Sequence, residues 1–182
     1  MDVKWTDLAF YAHRRENMFA VGDYVIYGYE GVCHVDGIGC PNVSGLDRSK
    51  QYYTLTPHYH GGTIYAPVDG RVLIRPLISR DELDALLPQL PKLPLLDDVP
   101  ENSRMAGDYY RTILAGRDCT MLLRLCKTLH ARQAERAVSR KSVSSTELRN
   151  WKTAEEMIQG EFAFVLGIAP SEVGSYLQQK SS

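Results

Sequence analysis

Between Phe19 and Pro76 the chain alternates short apolar runs with glycine, proline and aspartate. The runs are rich in β-branched and aromatic residues, and this pattern predicts short β-strands separated by turns. Five such runs occur, over residues 19–27, 32–38, 51–56, 62–67 and 71–75. No connection between them is long enough for a crossover helix. We therefore expect a small twisted barrel of antiparallel strands rather than an α/β unit.

After Pro76 the apolar spacing changes to that of helices. Ser79 and Glu82 have the spacing of a capping box and precede three leucines, which predicts a short helix that ends at Pro88. Residues 88–100 are rich in proline, which has no amide hydrogen. We expect this connector to run extended, with its leucines packed against one domain or the other.

The remainder of the chain predicts a helical bundle. A second helix is expected from Ser103 or Met105 to Gly116, a third after the capping residue Asp118, and a fourth after a second capping box at residues 144–147. Apolar residues recur three and four positions apart in the third and fourth helices. In the third helix this spacing places Arg124 and Lys127 on the side away from the apolar stripe. The fold class is therefore α+β, with an N-terminal β-barrel and a C-terminal helical bundle.

The length of 182 residues allows two small domains, and the change of pattern near Pro76 favours that division. We expect an N-terminal extension of unknown role at residues 1–17 and a β domain at 18–77. A short helix with the connector follows at 78–102, and the helical domain occupies 103–178. The sequence has no run of eighteen apolar residues, and its N-terminus carries acidic residues where a secretory signal would be basic and then apolar. We therefore expect a cytoplasmic protein without a membrane span.

The net charge of −1 conceals an asymmetry between the two halves. Residues 18–103 hold six Lys or Arg against eleven Asp or Glu, a net charge of −5. Residues 104–152 hold eleven Lys or Arg against four Asp or Glu, a net charge of +7. An acidic β domain followed by a basic helical domain suggests two different partners, the second of them a polyanion.

The sequence offers little support for catalysis or for a cofactor. It has no nucleophile in a recognisable motif, no glycine-rich phosphate loop and no paired-carboxylate arrangement. Cys33, His34 and Cys40 lack the paired spacing of a zinc site, so we expect no metal. Cys119 and Cys126 lie seven residues apart in a helical pattern and are expected to be buried free thiols. The chain is therefore expected not to be an enzyme.

The strand-rich segment also carries a specific series of motifs. It reads Phe19-x-Val21-Gly22-Asp23-x-Val25-x-Tyr27, then Gly31-Val32, then Thr63-x-Tyr65-x-Pro67-Val68. This series resembles the opening domain of the CarD family of bacterial transcription regulators, also called CdnL, and a related module of the transcription-repair coupling factor. A later series is similar to the helical half of CarD; it reads Lys127-Thr-Leu129-x-x-Arg132-x-x-Glu135-Arg136 and Gly160-Glu161-Phe-Ala163-Phe. The resemblance spans residues 18–167 and implies a Tudor-like barrel followed by a helical DNA-binding domain.

The resemblance implies that the β domain docks on the β subunit of RNA polymerase through an exposed strand, here Thr63, Ile64, Tyr65, Ala66 and Pro67. Pairing with a partner's sheet satisfies the backbone groups of an exposed strand. Many family members carry arginine in this strand and in an earlier loop, where this chain has Tyr65 and Pro41. The polymerase contact is therefore implied with altered chemistry. From the residues alone, Tyr52 and Tyr65 either roof the small core or serve as contact residues.

The positive charge of the helical domain is typical of a surface that holds a nucleic-acid backbone without reading bases. The resemblance implies that this nucleic acid is promoter DNA near the upstream edge of the melted region. The resemblance places Ser103 where the best-described branch has a tryptophan that wedges into the minor groove. Met105 is the candidate for a smaller apolar wedge. The candidate DNA-binding residues are Arg104, Met105, Arg111, Lys127, Arg132, Arg140, Lys141, Arg149 and Lys152.

Together these features predict a monomeric, nucleoid-associated transcription regulator that modulates the stability of the open complex. A protein that binds the open complex better than the closed complex shifts that equilibrium by its difference in affinity. The alternative is an adaptor that does not bind DNA and that bridges two protein partners, one through each domain.

Overall fold

The computed structural model describes residues 19–139 and 144–180. Its five strands are β1 (Tyr24–Tyr27), β2 (Gly31–Gly39), β3 (Tyr52–Pro57), β4 (Ile64–Pro67) and β5 (Ile74–Pro76). Neighbouring strands pair antiparallel in the order β4-β3-β2-β1-β5. The prediction of five antiparallel strands is confirmed. Within the described residues, however, β4 and β5 do not pair with each other, so the sheet is open rather than closed into a barrel.

The short edge strands account for the open sheet. β5 has three residues, and both β4 and β5 end in a proline. Because proline has no amide hydrogen, it cannot donate a hydrogen bond that would pair β4 with β5 and close the barrel. The β module, by which we mean residues 19–78, therefore has two edge strands.

The pairing register sorts the strand side chains onto two faces. One face packs with Phe19 into a compact core that includes Val25, Val35 and Leu55. The other face carries Tyr24, Ile26, Val32, His34 and Arg75, since Tyr24 pairs with His34 and Ile26 pairs with both Val32 and Arg75. Ile26 and Val32 are almost completely buried although they point away from that core. The second face of the sheet is therefore covered by another part of the chain.

Within residues 79–139 and 144–180, five helices follow the sheet, and together with their connections they form the helical module. They are α1 (Arg80–Leu86), α2 (Ser103–Gly116), α3 (Cys119–Val138), α4 (Ser145–Leu166) and α5 (Val173–Lys180). Short 3-10 turns occur at Gly28–Glu30, Leu87–Lys92 and Pro170–Glu172. None of the helices in the described ranges is long and apolar enough to cross a membrane. The proposed N-terminal extension at residues 1–17 lies outside the described residues.

A single apolar core holds the helical module together. It includes Tyr110 of α2, Leu125 of α3 and Phe162 of α4. Leu96 of the connector is buried in the same core, as is Leu87 just before the connector, and Leu90 packs partly buried against it. These leucines therefore pack against the helices and not against the sheet, whereas Leu95 is exposed. The first part of the connector forms a 3-10 turn at Leu87–Lys92, where the sequence pattern predicted extended chain.

Helix capping agrees with the sequence at two of the three predicted positions. Ser79 and Glu82 form the predicted capping box, and the Asp118 carboxylate accepts a hydrogen bond from the Met121 amide at 2.8 Å. At α4 the Ser144 hydroxyl accepts from the Glu147 amide at 3.4 Å, but the Glu147 side chain does not return to the cap. Instead it turns inward to arginines of α3, so the second capping box is only half formed. Asn102, which caps α2, was not anticipated.

Candidate partner-binding surfaces

The outer side of β4 is an open strand edge. β4 pairs with β3 on one side only, so the backbone groups on its other side have no partner strand among the described residues. Ala66 is buried in the core of the sheet and Ile64 is half-buried. Tyr65 pairs with Thr54, points to the opposite face and is half-buried, and Thr63 is exposed just before the strand. An exposed edge of this kind is a template for pairing with a strand of another protein.

The two candidate contact tyrosines have different environments. Tyr52 is buried, and its hydroxyl accepts a hydrogen bond from the Asp47 amide at 3.2 Å. Tyr52 therefore packs under the loop that carries Asp47, on the face opposite Tyr53, and is not available to a partner. Tyr65 keeps part of its ring in solvent beside the open edge.

A second candidate surface lies where three helix ends meet, and we call it the bundle end. It consists of the first turn of α2, the last two turns of α3 and the first two turns of α4. A Cβ atom placed on Gly107 of α2 would lie 3.3 Å from the Thr146 Cγ2 atom of α4, so these two helices approach closely at their N-termini. The C-terminal part of α3 is joined to the same place through ion pairs with Glu147.

Glu147 is buried inside the bundle end and forms ion pairs with two arginines of α3. It is 5% exposed, and its carboxylate lies 2.8 Å from an Arg136 nitrogen and 3.6 Å from an Arg132 nitrogen. Arg132 also donates to the Tyr110 hydroxyl at 2.9 Å. Burial raises the pKa of Tyr110, so this hydroxyl stays protonated. Arg132, a predicted DNA-binding residue, thus has partners within the protein on both α2 and α4.

Lys127 and Arg124 contact the connector rather than open solvent. The Lys127 ammonium donates to the carbonyl oxygens of Pro91 and Leu93 at 2.8 and 2.7 Å. The Arg124 guanidinium donates to the carbonyl oxygens of Pro94 and Leu95 at 3.1 and 2.9 Å. The side of α3 opposite the apolar stripe, where the spacing places these two residues, is therefore occupied by the connector. The connector runs along that side of α3, and its carbonyl groups need donors that a proline-rich chain cannot supply itself.

The other predicted DNA-binding cations differ in their exposure and in whether they form an ion pair within the protein. Arg111 forms an ion pair with Asp108 one turn away. Lys152 is exposed and lies 3.8 Å from Glu156. Arg104 and Arg149 are exposed, and no side-chain partner is seen for them within the described residues. Arg140 and Lys141 lie outside the described residues.

Exposed apolar side chains accompany these cations at the bundle end. Met105 in the first turn of α2 is 60% exposed, Leu148 in the first turn of α4 is 51% exposed, and Val138 at the end of α3 is 87% exposed. Large apolar side chains left in solvent beside cations are typical of a surface that meets a partner. Sequence reasoning singled out Met105 alone among the three.

Two features of these surfaces were missed from the sequence. Glu147 was assigned to a cap. The hydrogen bonds from Arg124 and Lys127 of α3 to the connector carbonyls, which we call the clamp, were not foreseen. A proline-rich segment with many unpaired carbonyls, next to a helix with Arg and Lys four or fewer residues apart, is a signal that could have suggested the clamp. No sequence signal distinguished Glu147 from an ordinary capping glutamate. Within the described residues, no group of three or more His, Cys, Asp or Glu side chains could hold a metal ion.

The described residues thus form a small β module with an open sheet edge, joined to a helical module. Residues 19–78 match the family model of the CarD-like/TRCF RID domain. This segment of the chain is therefore a CarD-like/TRCF RID domain, and the family recognised from the sequence is confirmed for the β module. The RID domain is a protein-interaction domain, and the family interacts with the β subunit of RNA polymerase. A search of curated proteins found no match to the chain.

Proposed function

We propose that this protein is a transcription regulator that binds the β subunit of RNA polymerase through β4 and promoter DNA through the bundle end. By holding both, it stabilises or destabilises the open complex according to its difference in affinity for the open and closed states. On this proposal the β module is of the Tudor-like type, with an open seam between β4 and β5. The protein acts as a monomer at the nucleoid.

The observation that carries the proposal is the edge position of β4 within the matched RID domain. The strand implicated by the family resemblance, Thr63 to Pro67, coincides with the free edge of the sheet. Backbone pairing is tolerant of sequence, so the presence of Tyr65 in place of an arginine does not remove the binding mode. Helix α4 packs over the face that carries Tyr24 and His34, and Tyr65 of β4 keeps part of its surface in solvent.

Charge and exposure support a DNA contact at the bundle end. Arg104 lies in the first turn of α2 and Arg149 and Lys152 lie in the second turn of α4, and all three are exposed. The exposed Met105 is next to Arg104. Cations on one side of a helical module neutralise phosphates and give affinity without sequence specificity. Met105 offers an apolar tip of the kind that can enter between base steps. Arg140 and Lys141 belong to the same proposal by their place in the sequence, between α3 and α4.

Binding of purified β subunit to point variants tests the polymerase contact. We expect Tyr65→Ala to weaken this binding about ten-fold, because an aromatic contact beside a strand edge contributes on the order of 1–2 kcal/mol. Val21→Ala is the matched control, since Val21 is an exposed apolar residue on the turn before β1, and two strands lie between β1 and β4. Equal binding by the Tyr65→Ala variant and the wild type would contradict the use of this edge.

A second candidate function is an adaptor that joins RNA polymerase to another protein. It is favoured by the internal use of Arg124, Lys127 and Arg132, which reduces the number of free cations, and by the exposed apolar trio at the bundle end. Salt titration of binding to forked promoter DNA separates the two functions. A steep log–log slope supports the DNA contact, whereas a slope near zero supports the adaptor.

A further inference from the structure

Helix α4 joins the helical module to the β module through one side of its C-terminal half. Phe164 lies three positions after Glu161 and four after Gly160, so it is on the same side of this helix as each of them. They meet the face of the sheet that carries Tyr24, His34 and Arg75. This junction is distinct from both the β4 edge and the bundle end.

The centre of the junction is the buried carboxylate of Glu161. The side chain is 3% exposed and accepts hydrogen bonds from both terminal nitrogens of Arg75, at 2.7 and 2.6 Å. The same carboxylate accepts from the Ile78 amide at 2.8 Å and from the Cys119 thiol at 3.4 Å. One side chain of α4 therefore binds the last strand of the sheet, the chain that leaves the sheet, and the first residue of α3.

The charge state of this pair is secured by its surroundings. Burial alone would lower the pKa of Arg75, but the hydrogen bonds and the negative charge of Glu161 outweigh burial and raise that pKa. A bidentate arginine–carboxylate pair has a defined geometry that a single apolar contact lacks. Burying such a pair adds little net stability, yet removing one member leaves an uncompensated charge in the interior.

Two further contacts flank Glu161 on α4. The Tyr59 hydroxyl donates to the Gly160 carbonyl oxygen at 2.9 Å. The Phe164 ring lies 4.5 Å from the Tyr24 ring and 4.9 Å from the His58 ring, between centroids. These contacts prevent rotation of α4 about the Arg75–Glu161 pair, because they lie on either side of it.

The loop between α2 and α3 completes the junction. The backbone carbonyl of Arg117 accepts from Arg75 at 2.6 Å, and the Arg117 guanidinium lies 5.1 Å from the centroid of the Tyr29 ring in the β module. Arg117 is 3% exposed and has a left-handed backbone conformation with φ of 55°. A non-glycine residue adopts this conformation only when its surroundings hold it there.

We propose that Glu161 is a positioning residue that holds the two modules in a single relative orientation, so that the β4 edge and the bundle end are presented at a fixed spacing. Small domains of one chain move relative to each other unless a specific interface prevents it. Here four hydrogen bonds to one carboxylate supply that interface. As far as the two surfaces serve RNA polymerase and DNA, the consequence rests on the function proposed above, whereas the fixed orientation is a property of the protein alone.

A spin-label distance measurement on the free protein tests the orientation. Labels are placed by Asp69→Cys, in the turn after β4, and Leu148→Cys, in the first turn of α4, with the exposed Cys40 changed by Cys40→Ser. The other thiols do not compete, since Cys33 and Cys119 are buried and burial raises the pKa of Cys126 to about 12. We expect one narrow distance in this background. Adding Glu161→Gln should broaden the distribution about two-fold or more, as independent domain motion would require.

Control variants keep the result interpretable. Asp81→Asn removes one negative charge from an exposed position on α1 and should leave the distribution narrow. Tyr59→Phe removes only the hydroxyl that donates to the Gly160 carbonyl oxygen and leaves the apolar core unchanged. It should broaden the distribution of spin-label distances by less than Glu161→Gln does. If Glu161→Gln lowers the unfolding midpoint but the distance stays narrow, Glu161 is merely stabilising and the proposal is overturned. Equal broadening by Asp81→Asn would overturn it too.

A binding experiment tests the consequence for two-partner recognition. We expect Glu161→Gln to leave the separate affinities for β subunit and for promoter DNA unchanged, and to lower the affinity for the assembled polymerase–promoter complex about ten-fold through lost effective concentration. An unchanged affinity for the assembled complex would contradict the coupling. If the wild type binds neither separate partner, the proposed function fails, while the orientation is still decided by the distance measurement.

Discussion

Lys127 offers the sharpest distinction between a structural role and a DNA-binding role. The sequence pattern and the family resemblance both suggest a phosphate contact, whereas the structure shows its ammonium group on two carbonyl oxygens of the connector. Lys127→Met keeps the aliphatic stem and removes the charge. Lys152→Met is the matched control, because Lys152 is exposed and has only a long ion pair with Glu156.

The expected loss of stability follows from these contacts. A hydrogen bond that involves a charged group contributes about 1.5–3 kcal/mol. Because Lys127 is partly exposed, solvent reduces each of its two bonds to about 1 kcal/mol, or about 2 kcal/mol in total. For a chain of this length that loss corresponds to a fall in Tm of about 4–8 °C. The surface ion pair of Lys152 contributes at most about 0.5 kcal/mol.

Thermal and urea unfolding measure the stability of both variants, and salt titration of DNA binding measures their phosphate contacts. We expect Lys127→Met to be destabilised and to keep the wild-type salt slope. Lys152→Met should be as stable as the wild type, with a slope reduced by about 0.9, the value for one phosphate contact. A Lys127→Met variant of wild-type stability whose slope is reduced would refute the clamp and restore the DNA role of Lys127.

Three further predictions concern the interior and the bundle end. Glu147→Ala should lower the free energy of unfolding by about 3–5 kcal/mol in a urea titration, because it strands the partly buried Arg132 and Arg136, whereas Glu135→Ala at an exposed site should change it by less than about 0.5 kcal/mol. Burial raises the pKa of the Cys33 thiol from 9.0 to about 11, so its stabilising effect is fully present below pH 9 and is lost as pH rises through 11. Unfolding measured across this window should show a fall in stability that Cys33→Ala makes shallower, and an unchanged pH dependence would contradict the assignment. Met105→Ala should weaken binding to forked promoter DNA more than binding to duplex DNA in a fluorescence titration, and equal loss on both would exclude a wedge.

The local elements could be predicted from the sequence because their causes are local. Glycine and proline bound the five strands, and Ser79 with Glu82 forms the capping box that begins α1. Asp118 caps α3 as expected, and the leucine stripe of that helix is buried. Each of these outcomes depends on residues within a few positions of one another, where periodicity and capping chemistry decide the structure.

What could not be predicted depends on which element covers which face. Alternation along β1 separated Tyr24 and Ile26 from Val25, but it could not reveal that α4 lies over the first pair. Helical spacing placed Lys127 opposite the leucine stripe, yet only the path of the connector decides whether that side is solvent. Arg75 and Glu161 are 86 residues apart, and no local pattern joins them.

The two candidate surfaces were likewise predictable from the sequence only in their local features. The position of the β4 strand was predictable from the run that ends at Pro67, and its place at the edge of the sheet is a result of the strand order. The basic half of the chain was evident from its composition. The structure separates cations that hold the helices together, such as Arg132, from cations that remain exposed, such as Arg149.

Amide hydrogen exchange of the protein, alone and on an assembled RNA polymerase–promoter complex, tests the central claim most directly. The account predicts slower exchange on the complex at Tyr65, whose amide points to the open edge of β4, and in the first turns of α2 and α4, with no change in α5. Protection of β4 would reflect new backbone hydrogen bonds at its open edge, and Pro67 would contribute no signal because it has no amide hydrogen. Unchanged exchange at β4, or protection confined to other parts of the chain, would contradict the account.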